Sequence, residues 1–283
     1  MHPIIDFAEH TLGVKLYPGQ VEALNAYYES GKPNWLLLSG RRGGKSLLSD
    51  IIAIYEGVIP NLEQYTRPGE ERYVLLVSVR EDSARVHIRQ ITKLLRHTKA
   101  LSNMIQAVKE DRVELKNGVI ILSLPASARA ARGYTASTLV MDEAAFFVDT
   151  LGNSSAEAIF TALSPTTATF GEDARLVITT SVNAKVGLVY ELYDRATQGE
   201  LEDWHVTKVS TRELNPKVSE RIINSALKRD PEGAQAEYFA EFREQTEAFL
   251  SSEAIEACVD PGLGRGGVEP GVNYMMAVDP ALM

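Results

Sequence analysis

Cysteine and long apolar runs are the scarcest features of this 283-residue chain. Cys258 is its only cysteine, which excludes an internal disulfide and a cysteine-rich metal site. No apolar run approaches the roughly 20 residues that a membrane-spanning helix needs, and the N-terminus does not resemble a signal peptide. We therefore predict a soluble, intracellular protein with no membrane partner.

Histidine and basic residues are also few. The five histidines show no metal-ligand spacing, and no Ser-His-Asp order accompanies a nucleophile elbow, so neither zinc chemistry nor acyl transfer is predicted. The net charge is −9, so no uniform field attracts a polyanion and any nucleic-acid contact must be local. An apolar content of 45% is typical of a globular protein with a large core.

An apolar strand runs directly into a glycine-rich loop and a helix at residues 35–55, beginning WLLLSGRRGGKS. Glycines let backbone N–H groups turn toward a phosphate, Lys45 supplies a cation for the β- and γ-phosphates, and Ser46 can ligate Mg²⁺. Ser39 stands where the strict P-loop pattern has glycine, so the loop is a variant. The alternative is a glycine-rich turn beside a chance lysine. The predicted nucleotide-binding residues of the loop are Gly40, Arg41, Arg42, Gly43, Gly44, Lys45 and Ser46.

A second apolar strand, within residues 138–147, ends in two carboxylates. In P-loop enzymes an acid at such a strand tip holds the Mg²⁺ shell, and an adjacent glutamate polarises the attacking water. Asp142 and Glu143 are predicted to have these two roles. The alternative is a strand end with solvated acids.

Strand-like segments alternate with amphipathic helical stretches, which predicts a three-layer α/β domain with a mostly parallel sheet. A hairpin is expected at 113–123, because Asn117-Gly118 suits a turn with positive φ. One helix is expected near residues 81–100, and the tryptophans and both Phe146 and Phe147 are expected in the core. The predicted strands are Trp35–Ser39, Tyr73–Val79, Val119–Leu124, Leu139–Asp142, Leu176–Thr180 and Trp204–Val209.

The C-terminal quarter suggests a change of domain. We predict an ATPase domain over residues 1–258 with a helical appendage from about 215, and then a turn-rich linker at 259–271. A new strand that carries Asp279 is predicted at Asn273–Ala281, at the start of a second domain over residues 272–283. One strand cannot fold alone, so a truncated second domain is expected.

Together these motifs resemble the ATPase portion of the large terminase subunit of tailed bacteriophages, over most of residues 15–282. The segments that carry the resemblance are Tyr17–Gln20, Ser39–Ser46, Ala131–Tyr134, Leu139–Phe146 and Thr179–Ser181.

The resemblance implies an additional-strand P-loop fold, with an extra strand between the two nucleotide motifs, and an ATP- and Mg²⁺-dependent motor that packs double-stranded DNA. It implies as partners the DNA, further copies of the chain in a ring, the procapsid portal and the small terminase subunit, in the cytoplasm of the bacterial host. It also implies a following RNase H-like nuclease, with Asp279 as the first carboxylate of a site for Mg²⁺ or Mn²⁺. This chain alone is not expected to cut DNA.

Further roles follow from the same resemblance. Gln20 resembles a glutamine that reads the adenine edge, although it could equally be a solvated residue at a helix start. Thr179, Thr180 and Ser181 resemble a coupling motif that senses the γ-phosphate, or are simply strand residues entering a turn. Arg132 is the candidate arginine finger acting on a neighbouring subunit's nucleotide. Arg129 is the alternative, and either arginine could have no catalytic part.

A basic stripe follows from helical spacing alone: Arg85, Arg89, Lys93 and Arg96 share one helix face. It could contact the DNA backbone without reading sequence, contact a partner subunit, or be solvated. Two further functions stay open, a helicase-like or other DNA-remodelling ATPase and a nucleotide-binding scaffold that hydrolyses little.

Overall fold

The computed structural model describes residues 1–127, 133–148 and 155–243. Within these ranges the chain forms one mixed sheet covered by helices on both faces. Its strands are β1 Asn34–Ser39, β2 Arg72–Ser78, β3 Ile105–Val108, β4 Arg112–Leu115, β5 Val119–Pro125, β6 Ala136–Asp142, β7 Arg175–Thr180 and β8 Trp204–Val209. Its α-helices are α1 Pro3–Asp6, α2 Pro18–Glu29, α3 Lys45–Val58, α4 Glu81–Leu95, α5 Lys99–Met104, α6 Ala156–Leu163, α7 Leu188–Thr197, α8 Thr211–Leu214, α9 Glu220–Arg229 and α10 Pro231–Phe239.

The sheet order is β3-β4-β5-β2-β6-β7-β1-β8. Strands β5, β2, β6, β7, β1 and β8 are parallel, and β3 and β4 extend one edge in antiparallel pairs. Strand β7 lies between β1 and β6, so an extra strand separates the two predicted nucleotide motifs. This confirms the predicted additional-strand fold, in which the carboxyl ends of β1, β6 and β7 meet at one edge.

Alternate residues of the central strands pack into two separate cores. In β1, Trp35 and Leu37 pack with α2, α3 and α4, whereas Leu36 and Leu38 pack with α6 and α7. Both faces are buried, which explains why the strands read as continuous apolar runs rather than as an apolar and polar alternation. The three-layer prediction is confirmed.

Three local predictions need correction or extension. The expected single helix near 81–100 ends at Leu95, and Thr98 caps a second helix by accepting from the Leu101 N–H. Phe147 is buried as predicted but Phe146 is 41% exposed, because a 3-10 turn after Glu143 points the two rings in different directions. The hairpin of β4 and β5 is confirmed with Gly118 at φ +80°, while its outer neighbour β3 was not predicted.

The helical prediction after residue 215 is met by α9 and α10. Asp279, the proposed linker and the proposed domain boundary lie outside the described residues. No helix in the described ranges is long and apolar enough to span a membrane.

Candidate nucleotide-binding site

The P-loop joins the end of β1 to the start of α3, and side chains from outside the loop bind three successive carbonyls. Thr211 Oγ1 donates to the Arg41 carbonyl at 2.8 Å, and Asn215 Nδ2 donates to the Arg42 carbonyl at 2.8 Å. Gln20 Nε2 donates to the Gly43 carbonyl at 2.9 Å.

These three bonds fix the orientation of the loop. In a trans peptide the C=O and the following N–H point in opposite directions. Three carbonyls held from outside turn the next N–H groups away from those partners, and the Gly43 N–H donates to the Gly40 carbonyl at 3.3 Å. The N-terminus of α3 adds its positive end, and a glycine-rich turn before a helix N-terminus suits an anion. Thr211 and Asn215 were not predicted, because their contact with the loop spans about 170 residues of chain.

The Lys45 ammonium is buried and bonded to oxygen in this structure. It donates to Ser181 Oγ at 2.9 Å and to the carbonyls of Ser39 and Gly40 at 3.2 and 3.3 Å. Glu143 Oε1 lies 3.5 Å away. Lys45 therefore contacts Ser181, the residue after β7, and lies beside Glu143, the residue after β6.

The two predicted nucleotide motifs meet at Ser46 and Asp142. Ser46 Oγ donates to Asp142 Oδ2 at 2.8 Å, and Thr179 Oγ1 donates to Asp142 Oδ1 at 2.5 Å. A hydroxyl and a carboxylate are oxygen ligands of the kind Mg²⁺ prefers, and Mg²⁺ commonly completes its shell with water and substrate phosphates. The residues present therefore fit a Mg²⁺-nucleotide. In the described ranges no group of three or more His, Cys, Asp or Glu side chains is placed to hold a metal by itself.

Glu143 is held in the left-handed region at φ 60°, which a non-glycine residue adopts at a cost of order 1 kcal/mol. Its N–H donates to the Thr179 carbonyl at 2.6 Å, and its Oε2 accepts from the Ser181 N–H at 3.0 Å. Thr180 Oγ1 lies 3.5 Å from the same oxygen. The predicted coupling residues of β7 thus contact Lys45, Asp142 and Glu143. Their role in coupling stays a prediction.

Two buried residues that sequence reasoning missed, Asp50 and His87, complete the cluster. His87 Nδ1 lies 2.5 Å from Asp50 Oδ1, and its Nε2 lies 3.2 Å from Asp142 Oδ2. A charged residue within the apolar run of α3 was the available signal for Asp50. A cavity of about 410 Å³ opens beside Ser46, His87, Asp142 and Glu143.

The cluster has a definite charge pattern. Burial lowers the pKa of His87, but hydrogen bonds to Asp142 and Asp50 outweigh it and raise the pKa to about 10. Burial raises the pKa of Asp50 to about 6, against the opposing effect of His87. Burial also acts to raise the pKa of Asp142, but hydrogen bonds from His87, Thr179 and Ser46 hold it below its usual value. The two carboxylates therefore favour a proton on His87.

The other predicted nucleotide contacts differ in position. Gln20 is buried, with Oε1 accepting from the Tyr17 N–H at 3.1 Å while its Nε2 holds the loop. It therefore packs against the P-loop and caps α2, and its adenine role stays a prediction. Arg41 pairs with Glu237 at 3.0 Å on the surface, and Arg42 is exposed. Arg129 and Arg132 lie outside the described residues.

The predicted basic stripe lines a groove of about 490 Å³ between α4 and β3, which we call the basic groove. Its cations are Arg85, Arg89, Lys93, Arg96 and Lys109. Arg85 pairs with Glu81 at 2.6 Å and with Glu110 at 3.1 Å, so two acids already compensate its charge. Arg89 and Lys93 are exposed, consistent with the predicted shared face.

Fold and site together define a P-loop domain of the additional-strand class. Residues 4–240 match the family described as the N-terminal P-loop domain of the uncharacterized protein MJ0330. The chain belongs to that family. No curated protein matches the chain.

Solved structures of viral proteins share the fold. The large terminase ATPase domain of Thermus phage P74-26 is 16% identical with a TM-score of 0.61, covering 83% of this chain and 97% of that domain. The HK97 bacteriophage large terminase is 18% identical with a TM-score of 0.61, covering 81% of this chain and 51% of the other. The large terminase of the thermophilic bacteriophage D6E, in complex with ADP, is 12% identical with a TM-score of 0.59, covering 81% and 54%. The chain thus spans about half the length of the last two proteins, and at these identities the likeness establishes a common fold.

Proposed function

We propose that this chain is the ATP-hydrolysing domain of a terminase-type motor that moves double-stranded DNA. The observation that carries the proposal is the 2.8 Å hydrogen bond between Ser46 and Asp142, which joins the P-loop to the acidic strand tip. Glu143 and Lys45 lie beside this bond, so a cation, a hydroxyl and two carboxylates converge on one strand edge.

Each residue has a defined part in the proposed reaction. The N–H groups of the P-loop hold the phosphates, and Lys45 exchanges its bonds to Ser181 and Glu143 for phosphate oxygens. Ser46 and Asp142 would hold Mg²⁺, which would supply positive charge to the phosphates. Glu143, released from Lys45, orients the attacking water and accepts its proton.

The basic groove is the proposed DNA contact. Its exposed cations can pair with phosphates without reading bases, which suits a motor that must pass over any sequence. The local groove also suits a chain of net charge −9, since the surface as a whole does not attract DNA.

The remaining parts of the proposal come from the shared fold and the resemblance. We infer a ring of copies in which Arg132, or Arg129, reaches the neighbouring subunit's nucleotide. Its partners are the procapsid portal and the small terminase subunit, and it acts in the cytoplasm of the bacterial host. Residues 1–258 form the ATPase domain and 259–271 a linker. We infer that Asp279 belongs to a nuclease domain that uses Mg²⁺ or Mn²⁺.

Phosphate release by wild type, Glu143→Gln and Glu241→Gln tests the proposal, with and without double-stranded DNA. Glu241 is the matched control, because this exposed acid pairs with Lys208 and not with Lys45. We expect turnover that DNA stimulates, and a loss of about 10²–10⁴-fold in Glu143→Gln alone, with nucleotide binding retained. Nucleotide binding without phosphate release would instead identify a scaffold. An ATP hydrolysis rate that is the same with and without DNA would contradict the proposed motor function.

A further inference from the structure

Asp142 has more partners than the predicted motifs supply. Its Oδ1 accepts from Thr179, and its Oδ2 accepts from Ser46 and lies 3.2 Å from His87 Nε2. The opposite ring nitrogen of His87 lies 2.5 Å from Asp50 Oδ1. These three hydrogen-bonded side chains, Asp50, His87 and Asp142, come from α3, α4 and β6. Each residue is no more than 5% exposed.

We propose that His87 is a positioning residue that sets the orientation of the Asp142 carboxylate for Mg²⁺-nucleotide, with Asp50 holding the imidazole from behind. The proposal rests on the nucleotide function proposed above. An imidazole held at both nitrogens cannot rotate about its own axis, so Asp142 Oδ2 faces a fixed partner. A carboxylate fixed in this way does not have to be ordered when the metal binds.

Stability alone does not account for the cluster. Buried ionic groups carry a large desolvation cost, and apolar side chains of similar volume often stabilise a core as well or better. The hydrogen-bonded series from Asp50 through His87 ends on the carboxylate of Asp142, which also contacts the P-loop serine. Partners that orient a metal-binding group typically alter metal affinity by about 10–100-fold when removed.

A matched pair of substitutions separates orientation from packing. In His87→Gln the side-chain amide can occupy the place of Nε2 and donate to Asp142. In His87→Asn the shorter amide can occupy the place of Nδ1 and reach Asp50, leaving Asp142 without this partner. Both replacements are neutral amides, so they differ chiefly in which carboxylate they reach.

Tyr28→Phe is the control for the loss of a buried hydrogen bond to α3, the helix that carries Asp50. Tyr28 Oη donates to Glu56 Oε1 at 2.7 Å, and Glu56 lies on α3 well beyond Asp50. This substitution reports the effect of destabilising α3 without touching Asp142.

Mn²⁺ binding to the protein saturated with ADP, followed by electron paramagnetic resonance, gives the primary measurement. ADP affinity in EDTA and Tm are measured alongside. We expect His87→Asn to weaken Mn²⁺ binding by about 10–100-fold with unchanged metal-free ADP affinity. His87→Gln and Tyr28→Phe are expected to bind Mn²⁺ much as wild type does.

The outcomes distinguish this inference from the proposed function. Wild-type Mn²⁺ affinity in His87→Asn would overturn the inference, and so would equal losses in the Asn and Gln variants that follow their Tm. If His87→Asn does not fold, Asp50→Asn is measured in its place and must weaken Mn²⁺ binding more than Tyr28→Phe does. A wild type that binds no Mn²⁺ with ADP would overturn the proposed function itself.

Discussion

Gly40 packs against Thr211 so closely that no side chain fits between them. A Cβ at Gly40 would lie 2.2 Å from Thr211 Oγ1, 2.7 Å from the Thr211 nitrogen and 2.6 Å from the Tyr238 carbonyl oxygen. Two of these atoms belong to backbone, so a rotamer change cannot relieve the clash. The first residue of the P-loop is thus fixed by two helices that follow it by about 170 residues or more.

Gly40→Ala is therefore expected to displace the loop from α8 and α10. Overpacking of this kind costs about 1–3 kcal/mol, which corresponds to a Tm lower by roughly 2–12 °C. ADP affinity should fall as well, because the carbonyl of Arg41 would lose its partner Thr211. Thermal unfolding and calorimetric titration measure both effects.

Gly57→Ala is the control for this substitution. Its Cβ would meet only side-chain atoms, the nearest being Ile121 Cδ1 at 3.3 Å, and no backbone atom. We expect a Tm near that of wild type and unchanged ADP binding. Equal Tm losses in the two variants would contradict the account of Gly40.

Charge reversal in the basic groove tests the DNA contact. Arg89→Glu combined with Lys93→Glu removes two exposed cations of α4, whereas Arg221→Glu combined with Lys228→Glu makes the same charge change on exposed residues of α9. Each lost phosphate contact lowers the slope of log K against log salt by about 0.9, so the α4 pair should lower it by about 2. The α9 pair should leave the slope unchanged.

DNA affinity measured over a series of salt concentrations shows whether the basic groove binds DNA. If both double variants weaken DNA binding by the same factor, net charge rather than the groove governs the interaction. If neither does, the groove has another partner.

The buried carboxyl of Glu56 gives a pH prediction. Burial raises its pKa, against the opposing effects of the Tyr28 hydrogen bond and of the Arg175 and Arg72 charges. Between the unfolded and folded pKa values the folded protein binds more protons than the unfolded chain. Stability contributed by this group is therefore present at low pH and is lost as pH rises through the folded value.

Glu56→Gln removes this titration. The Tm of the variant relative to wild type should become more favourable as pH rises from about 4, since groups shared by both proteins cancel in the difference. Differential scanning calorimetry at several pH values provides the comparison. A constant difference across the range would mean that the carboxyl of Glu56 keeps its ordinary pKa.

The sequence was sufficient for features with a local signal. Strands buried on both faces appear as apolar runs, and the P-loop combines glycines, Lys45 and Ser46 within a few residues. The position of β7 between β1 and β6 came from a resemblance rather than from any local pattern, and the sheet order confirms it.

Features that depend on the packing of elements far apart in the sequence have no local signal and were not predicted. His87 reaches Asp142 only because α4 packs beside α3 and β2, which no spacing along the chain encodes. The exposure of Phe146 was missed for a similar reason, since it depends on the left-handed turn at Glu143. Thr98 is a recognisable cap, but its effect on the predicted long helix became clear only with the observed break.

Helix α4 presents His87 toward Asp142 on its inner side and Arg89 and Lys93 toward the basic groove on its outer side. Because α4 is one rigid helix, a movement at the basic groove also moves His87, with no other element in between. If DNA in the groove shifts this helix, the affinity for Mg²⁺-nucleotide changes by some factor. By thermodynamic reciprocity, Mg²⁺-nucleotide must then change the affinity for DNA by that same factor. The single helix α4 would thus couple the binding of nucleotide to the binding of DNA.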